Sequence, residues 1–171
     1  MSRNMEMPKG VEWTAHSLVV LEVIGDHRPV SSAVLATIFD LSPSYLHKQL
    51  QKLVTSGLMS SIPGPTGGFV LARPAAEITL ADVVAALSGP APVFRCTEIR
   101  CQGVFADRAD EIRAGGLCGI NAAMLQAEQT WRSSLAAVTI AALAAGVPDY
   151  DRHASNAAAD GRATTKKGIH G

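Results

Sequence analysis

The sequence has little that marks an enzyme or a membrane protein. No apolar run is long enough to cross a bilayer, and no basic-then-apolar signal peptide opens the chain. A cytoplasmic protein with no membrane partner is therefore expected. There is no phosphate-binding glycine loop, no nucleophile elbow and no HExxH zinc motif, so catalysis has no starting point and a non-enzyme is expected. Net charge is missing as well: 15 Lys and Arg balance 15 Asp and Glu. Binding to a polyanion must then come from a local patch. Cysteine is scarce, and its count of 3 is odd, which argues against a disulfide scaffold. The spacing is not CxxC, which weakens zinc-ribbon and ferredoxin readings. No internal repeat is visible. What remains is a chain of 171 residues, 47% hydrophobic, enough for one or two small domains with a core.

The most informative stretch runs from Pro29 to Pro74. Ser31 and Ser32 are candidate N-caps, since a serine oxygen accepts from a free amide of the first helical turn. Ala33, Val34, Leu35, Ile38 and Phe39 follow at helical spacing. Leu41-Ser42-Pro43 breaks the pattern, with Ser42 as the next cap and Pro43 at the first helical position, where its missing N–H costs nothing. The second helix places Leu46, Leu50, Leu53 and Val54 on one face and ends at Gly57. Its other face carries Ser44, Tyr45, His47, Lys48, Gln51 and Lys52. Leu58–Ile62 and Gly68–Ala72 then read as two strands joined by Pro63-Gly64-Pro65-Thr66-Gly67. From Leu41 to Ala76 the only ionic residues are Lys48, Lys52 and Arg73, a local charge of +3 in a neutral protein. Two short helices, a β-wing and a basic face are a winged helix-turn-helix pattern suited to DNA. Two ordinary helices of a bundle are the plainer alternative.

Around this stretch the chain offers less. Gly10–Asp26 reads as a helix whose Glu12 and His16, four apart, share one face. Taken alone, they are an exposed pair that stabilises the helix slightly. Thr79 caps a helix from Leu80 to Leu87, stopped by Gly89-Pro90. Val93–Leu117 is loop-like or briefly helical and holds Cys96 and Cys101, with Cys118 just after it. These thiols are buried or incidental, or a thiol–disulfide sensor, or metal ligands. Asn121–Ala145 reads as one long helix with an apolar stripe of Met124, Leu125, Trp131, Leu135, Val138 and Leu143. It packs either within its own chain or on a partner. Residues 1–9 read as a flexible start. Residues 147–171 hold little to bury and read as a disordered tail, with Lys166, Lys167 and His170 as weak DNA contacts at most.

Several of these segments together resemble the Rrf-type winged-helix regulators that include IscR, NsrR and RsrR. The matching residues are Leu35-Ala36, Ser42-Pro43-Ser44-Tyr45-Leu46, Lys48, Leu53, Gly57-Leu58, Ser61, Gly64, Gly67-Gly68-Phe69, Leu71-Ala72-Arg73-Pro74 and Glu77-Ile78-Thr79-Leu80. The resemblance runs from about Gly10 to Leu143. It implies a mainly α fold with a small β-wing: a DNA-binding domain over residues 10–90, a cysteine-containing loop over 91–118 and a dimerisation helix over 119–146. It also implies a crossed-helix homodimer on a palindromic or half-palindromic double-stranded DNA operator. Contacts are expected from Ser42, Ser44, Tyr45, His47, Lys48, Gln51 and Lys52 of the second helix, and from Thr66, Gly67, Gly68 and Arg73 of the wing. Lys48 and Lys52 suit phosphate; Ser44, Tyr45 and Gln51 suit the bases.

Gly10-Val11-Glu12-Trp13 with His16, and Cys96-Thr97-Glu98-Ile99-Arg100, resemble the RsrR-like members most closely. By that resemblance Glu12, His16, Cys96 and Cys118 hold a 2Fe-2S cluster, with Cys101 as a spare or exchange ligand. The insert Gln102–Leu117 is longer than the spacing of the three-cysteine members. A neutral imidazole in place of a thiolate removes negative charge and eases reduction, as in Rieske centres. A single carboxylate oxygen is a harder, weaker partner for iron than sulfur. The expected function is a dimeric DNA-binding regulator, more often a repressor in this family, switched by the redox state or occupancy of the cluster. The alternatives are a cluster-free thiol sensor of the same fold and a winged-helix protein-interaction module that binds no DNA.

Overall fold

The computed structural model describes residues 7–24, 28–89 and 91–147. Residues 1–6 of the expected flexible start, and 148–171 of the expected tail, lie outside the described residues. The chain forms two units: one joins the residues up to Gly89 with those from Leu135 onward, and the other is Pro90–Ser134.

The first unit is built around α1 (Lys9–Ile24). It is buried on more than one side because α3 (Pro43–Thr55), α4 (Leu80–Ser88) and α7 (Ile140–Ala145) all pack against it. Leu18, Val19, Val20 and Leu21 are all buried, so its apolar surface is not a single stripe. Its buried Thr14 and Ser17 hydroxyls donate back to the Gly10 and Trp13 carbonyls at 2.7 and 2.8 Å, so neither is left unsatisfied.

α2 (Ser32–Ile38) starts at Ser31, whose hydroxyl accepts from the Val34 N–H at 3.2 Å. α3 buries Leu46, Leu50 and Leu53 completely, three and four residues apart. Ser42 occupies the N-cap position of α3 with Pro43 after it, but its hydroxyl makes no capping bond. It lies 3.3 Å from the Ser44 hydroxyl instead, a correction to the expected cap. β1 (Met59–Ile62) and β2 (Gly68–Leu71) pair antiparallel with Ser61 opposite Phe69. The wing is also tied back to the segment before α2, because Val30 and Phe69 exchange backbone hydrogen bonds of 3.1 and 2.8 Å. A Cβ on Gly68 would clash with the Val30 carbonyl carbon, and one on Gly67 with the Ile62 carbonyl oxygen. Gly67 is therefore demanded by the hairpin itself and Gly68 by the segment before α2. Thr79 and Asp82 form a capping box that opens α4.

The single helix expected from Asn121 to Ala145 is two helices. α6 (Gly119–Ala136) stops, and α7 begins after Thr139, whose hydroxyl accepts from the Ala142 N–H at 3.1 Å. The break is stabilised at long range. Leu80 N–H donates to the Val138 carbonyl at 3.0 Å, and Ile140 N–H to the Ile78 carbonyl at 2.8 Å, with Ile140 fully buried.

The second unit has short 3-10 turns at Ile99–Cys101 and Gly103–Arg108, then α5 (Ala109–Ala114) and most of α6. Val93 N–H donates to the Glu128 carboxylate at 3.0 Å. Ion pairs join Arg108 to Glu111, Arg113 to Asp110 and Arg132 to Glu128. Among the described residues of this unit only Cys101 is buried.

Candidate nucleic-acid interface and thiol cluster

The outer face of α3 presents the expected set. Ser44, Tyr45, His47, Lys48 and Lys52 are exposed and Gln51 is half-buried. Two of these side chains are braced. Tyr45 stands edge-on to Trp13 of α1, ring centres 5.0 Å apart. His47 joins three elements: its Nδ1 lies 3.2 Å from the Ser32 hydroxyl, its Nε2 lies 3.3 Å from the Gln51 amide, and its ring packs on Phe69 of the wing at 5.5 Å. Thr66 is exposed at the wing tip. Arg73 sits beside Asp82, with 3.5 Å between guanidinium and carboxylate. Lys48 and Lys52 are thus the exposed cations of this face, and Arg73 has a carboxylate of its own beside it.

Glu12 and His16 are both exposed on α1. His16 packs against Phe39, ring centres 5.6 Å apart. Among the described residues no three His, Cys, Asp or Glu side chains converge tightly enough to hold a metal ion. The Glu12–His16 pair belongs to the first unit and the three cysteines to the second.

Within the second unit the thiols gather about two residues that sequence reasoning passed over, Glu98 and Arg100. The Glu98 N–H donates to Cys96 Sγ at 3.4 Å, and its carboxylate oxygens lie 3.8 Å from Cys96 Sγ and 3.7 Å from Cys101 Sγ. Glu98 reaches them from a left-handed backbone conformation, φ 53° and ψ 39°, uncommon for a residue with a side chain. Arg100 Nε donates to Glu98 at 3.1 Å, and its Nη2 donates to the Gly116 carbonyl at 2.6 Å. The hydrogen bond from Arg100 holds the Glu98 carboxyl below the usual carboxylate range. Cys118 opens α6, where the Asn121 and Ile120 N–H groups donate to its sulfur and push its thiol down. The positive charge of Arg100 acts on it in the same direction. The run Cys-Thr-Glu-Ile-Arg-Cys carried a usable signal: an acid and a base enclosed between two cysteines.

In donor type, though not in placement, these side chains suit an iron–sulfur group. Three soft sulfurs lie in one unit, and one of them already stands among amides that favour its thiolate.

A recognition helix with an exposed basic face, a wing pinned behind it and a separate thiol-bearing segment define a winged-helix DNA-binding transcriptional regulator. Comparison with known proteins gives the family. The Rrf2 family, described as iron-dependent transcriptional regulators, matches residues 7–146, and the chain belongs to it. It is 31% identical over 140 residues to YffB of Lactococcus lactis subsp. lactis, whose name places it among HTH-type transcriptional regulators; the match covers 82% of this chain and 87% of that one. It is 37% identical over 76 residues to the HTH-type transcriptional regulator IscR of Photorhabdus laumondii, covering 44% of this chain and 46% of the other. Among solved structures, CymR, the global cysteine regulator of Bacillus subtilis, superposes with a TM-score of 0.61 at 23% identity, over 83% of this chain and 98% of that one. That likeness confirms the winged-helix fold. No helix among the described residues is long and apolar enough to cross a membrane.

Proposed function

We propose that the protein is a homodimeric repressor that binds a palindromic or half-palindromic DNA operator and changes its affinity with the redox state or occupancy of a 2Fe-2S cluster. The observation that carries this reading is the collection of all three cysteines in one small unit of a chain whose other unit is a winged helix. The DNA half is supported by the exposed cations of α3, which neutralise phosphates, and by Ser44, Tyr45 and Gln51, which suit base edges. The cluster half is supported by the family and by the thiol chemistry around Glu98 and Arg100.

In this reading Cys96 and Cys118, with Glu12 and His16, hold the cluster. A dimer allows Glu12 and His16 of one subunit to meet the cysteines of the other. The bound cluster supplies a reversible one-electron change. The chain's own residues do the rest: the Ile120 and Asn121 amides favour the Cys118 thiolate, Cys101 stands ready as an exchange ligand, and His16, against Phe39 just ahead of α3, links the site to the recognition helix.

The test is the visible spectrum, iron and sulfide content of protein purified without oxygen, before and after dithionite, followed by operator binding in both states. About two irons per chain with reversible bleaching is the expected result. Alanine at Glu12 and His16 is expected to shift the spectrum and the potential; unchanged values remove both from the ligand set. Lys52→Ala is expected to weaken binding to every sequence and to reduce the salt slope by about one. A second reading, a cluster-free thiol sensor, is favoured by one observation, the Glu98 carboxylate shared by Cys96 and Cys101. A colourless protein after reconstitution, with oxidant-dependent DNA binding, selects it.

A further inference from the structure

The thiol-bearing segment is two arms of chain. One carries Cys96 and Cys101, five residues apart. The other is the approach to α6, Gly115 to Cys118. Between them run residues 102–114, folded as a 3-10 turn and α5. The large apolar side chains of the two arms do not close them together. Ile99, on the first, and Leu117, on the second, are 76% and 74% exposed. α5 packs on the Ile99–Cys101 turn, with Cys101 Sγ 3.8 Å from the Ala109 carbonyl, and the Gly115–Cys118 arm beyond it is gripped by one guanidinium. Arg100 grips Glu98 with Nε on one side and the Gly116 carbonyl with Nη2 on the other. Glu98 in turn touches both thiols of the first arm, and Gly116 stands two residues before Cys118. The guanidinium fork can make these two bonds at once in fixed directions; a lysine ammonium is a single point.

We propose that Arg100 is the positioning residue of the thiol segment: a two-sided clasp that holds the Cys118 arm against the Cys96–Cys101 arm. Its grip decides whether the thiols are presented together. The consequence for cluster retention rests on the proposed function; the clasp itself rests on the two hydrogen bonds of Arg100. Arg100 need not touch the cluster. Losing either jaw leaves each cysteine in place along the sequence but lets the arms part.

The test uses the reduced, metal-free full-length protein and dibromobimane, which bridges two nearby thiols by displacing bromide from each of its bromomethyl groups. Trypsin separates the three cysteines into residues 96–100, 101–108 and 114–132, so each bridge is identified by mass. In the unaltered protein, bridges from Cys118 to Cys96 or Cys101 are expected beside the Cys96–Cys101 bridge. Arg100→Gln is expected to cut the bridges to Cys118 on the order of tenfold, the scale of one lost charge-assisted hydrogen bond, and to leave the Cys96–Cys101 bridge unchanged. That bridge is followed after chymotrypsin, since the substitution removes the tryptic site. Its retention shows that the segment has not simply unfolded. Arg100→Lys is expected to resemble Arg100→Gln. Unchanged bridging to Cys118 in Arg100→Gln, full rescue by lysine, or no bridge to Cys118 in the unaltered protein each overturns the clasp.

A second measurement separates this proposal from the cluster reading. After anaerobic reconstitution, Arg100→Gln is expected to lose its visible absorption to a chelator several times faster than the unaltered protein. If the unaltered protein takes up no cluster while the bridging result holds, the cluster reading fails and the clasp stands. If both proteins hold the cluster equally and bridge equally, the clasp fails and the cluster reading stands.

Discussion

The two units of this chain treat their apolar residues in opposite ways. The winged-helix unit encloses them: Leu18, Leu35, Leu46, Leu50, Leu53, Ile78 and Ile140 are fully buried. Pro90–Ser134 leaves them out: Val104 is 87% exposed and Ile120 69%. One unit takes its order from a core, the other from local turns, ion pairs and a few hydrogen bonds between residues distant in sequence. Exposed ion pairs are screened by water and cannot replace a core. The second unit therefore has little resistance to opening by itself, and whatever binds it changes its order by mass action. That division suits the proposed function, in which a DNA-reading part stays fixed while another part responds.

The comparison can be broken by substitution, with unfolding in urea as the measurement. Leu50→Ala removes a fully buried side chain of α3 and is expected to cost about 2–5 kcal/mol. Gly68→Ala is expected to cost less, about 1–3 kcal/mol, because its Cβ would strike the Val30 backbone and separate Val30 from Phe69. Thr79→Ala removes one half of a capping box and is expected to cost about 1 kcal/mol. Leu117→Ser, in the second unit, is expected to stay within about 0.5 kcal/mol, since the leucine is already in water. A Leu117→Ser penalty near that of Leu50→Ala sinks the comparison, and its appearance only at high protein concentration points to a partner surface.

The winged helix was legible because its signals are local. Ser31 before an apolar run, Pro43 at a helix start, the leucine spacing of α3, and the Gly-Gly-Phe of the wing each act within a few residues. The break between α6 and α7 was not. Alanines lie on both sides of Thr139, and nothing nearby forbids a continuous helix. The decision is taken by Ile78 and Leu80, about sixty residues earlier in the chain, whose backbone groups pair with Ile140 and Val138. His47 was readable as an outward side chain but not as a brace, because Ser32 and Phe69 come from other elements. Gly67 and Gly68 were expected to serve close approach to DNA; the backbone around them supplies a reason inside the protein. Glu98 and Arg100 stood in plain view, yet their partners depend on a loop conformation that spacing does not determine.

The pairing of Thr79 with Thr139 bears on where the chain can be cut. A fragment ending at Gly89 contains every element of a winged helix and looks self-sufficient on paper. It would still lack α7, expose the side of α1 that α7 covers, and leave the Ile78 carbonyl and the Leu80 amide without their partners. The DNA-reading module is discontinuous along the gene product, and the thiol segment is spliced into it. Exchange of that segment for another, with both flanks kept, preserves the module, whereas truncation takes part of it away.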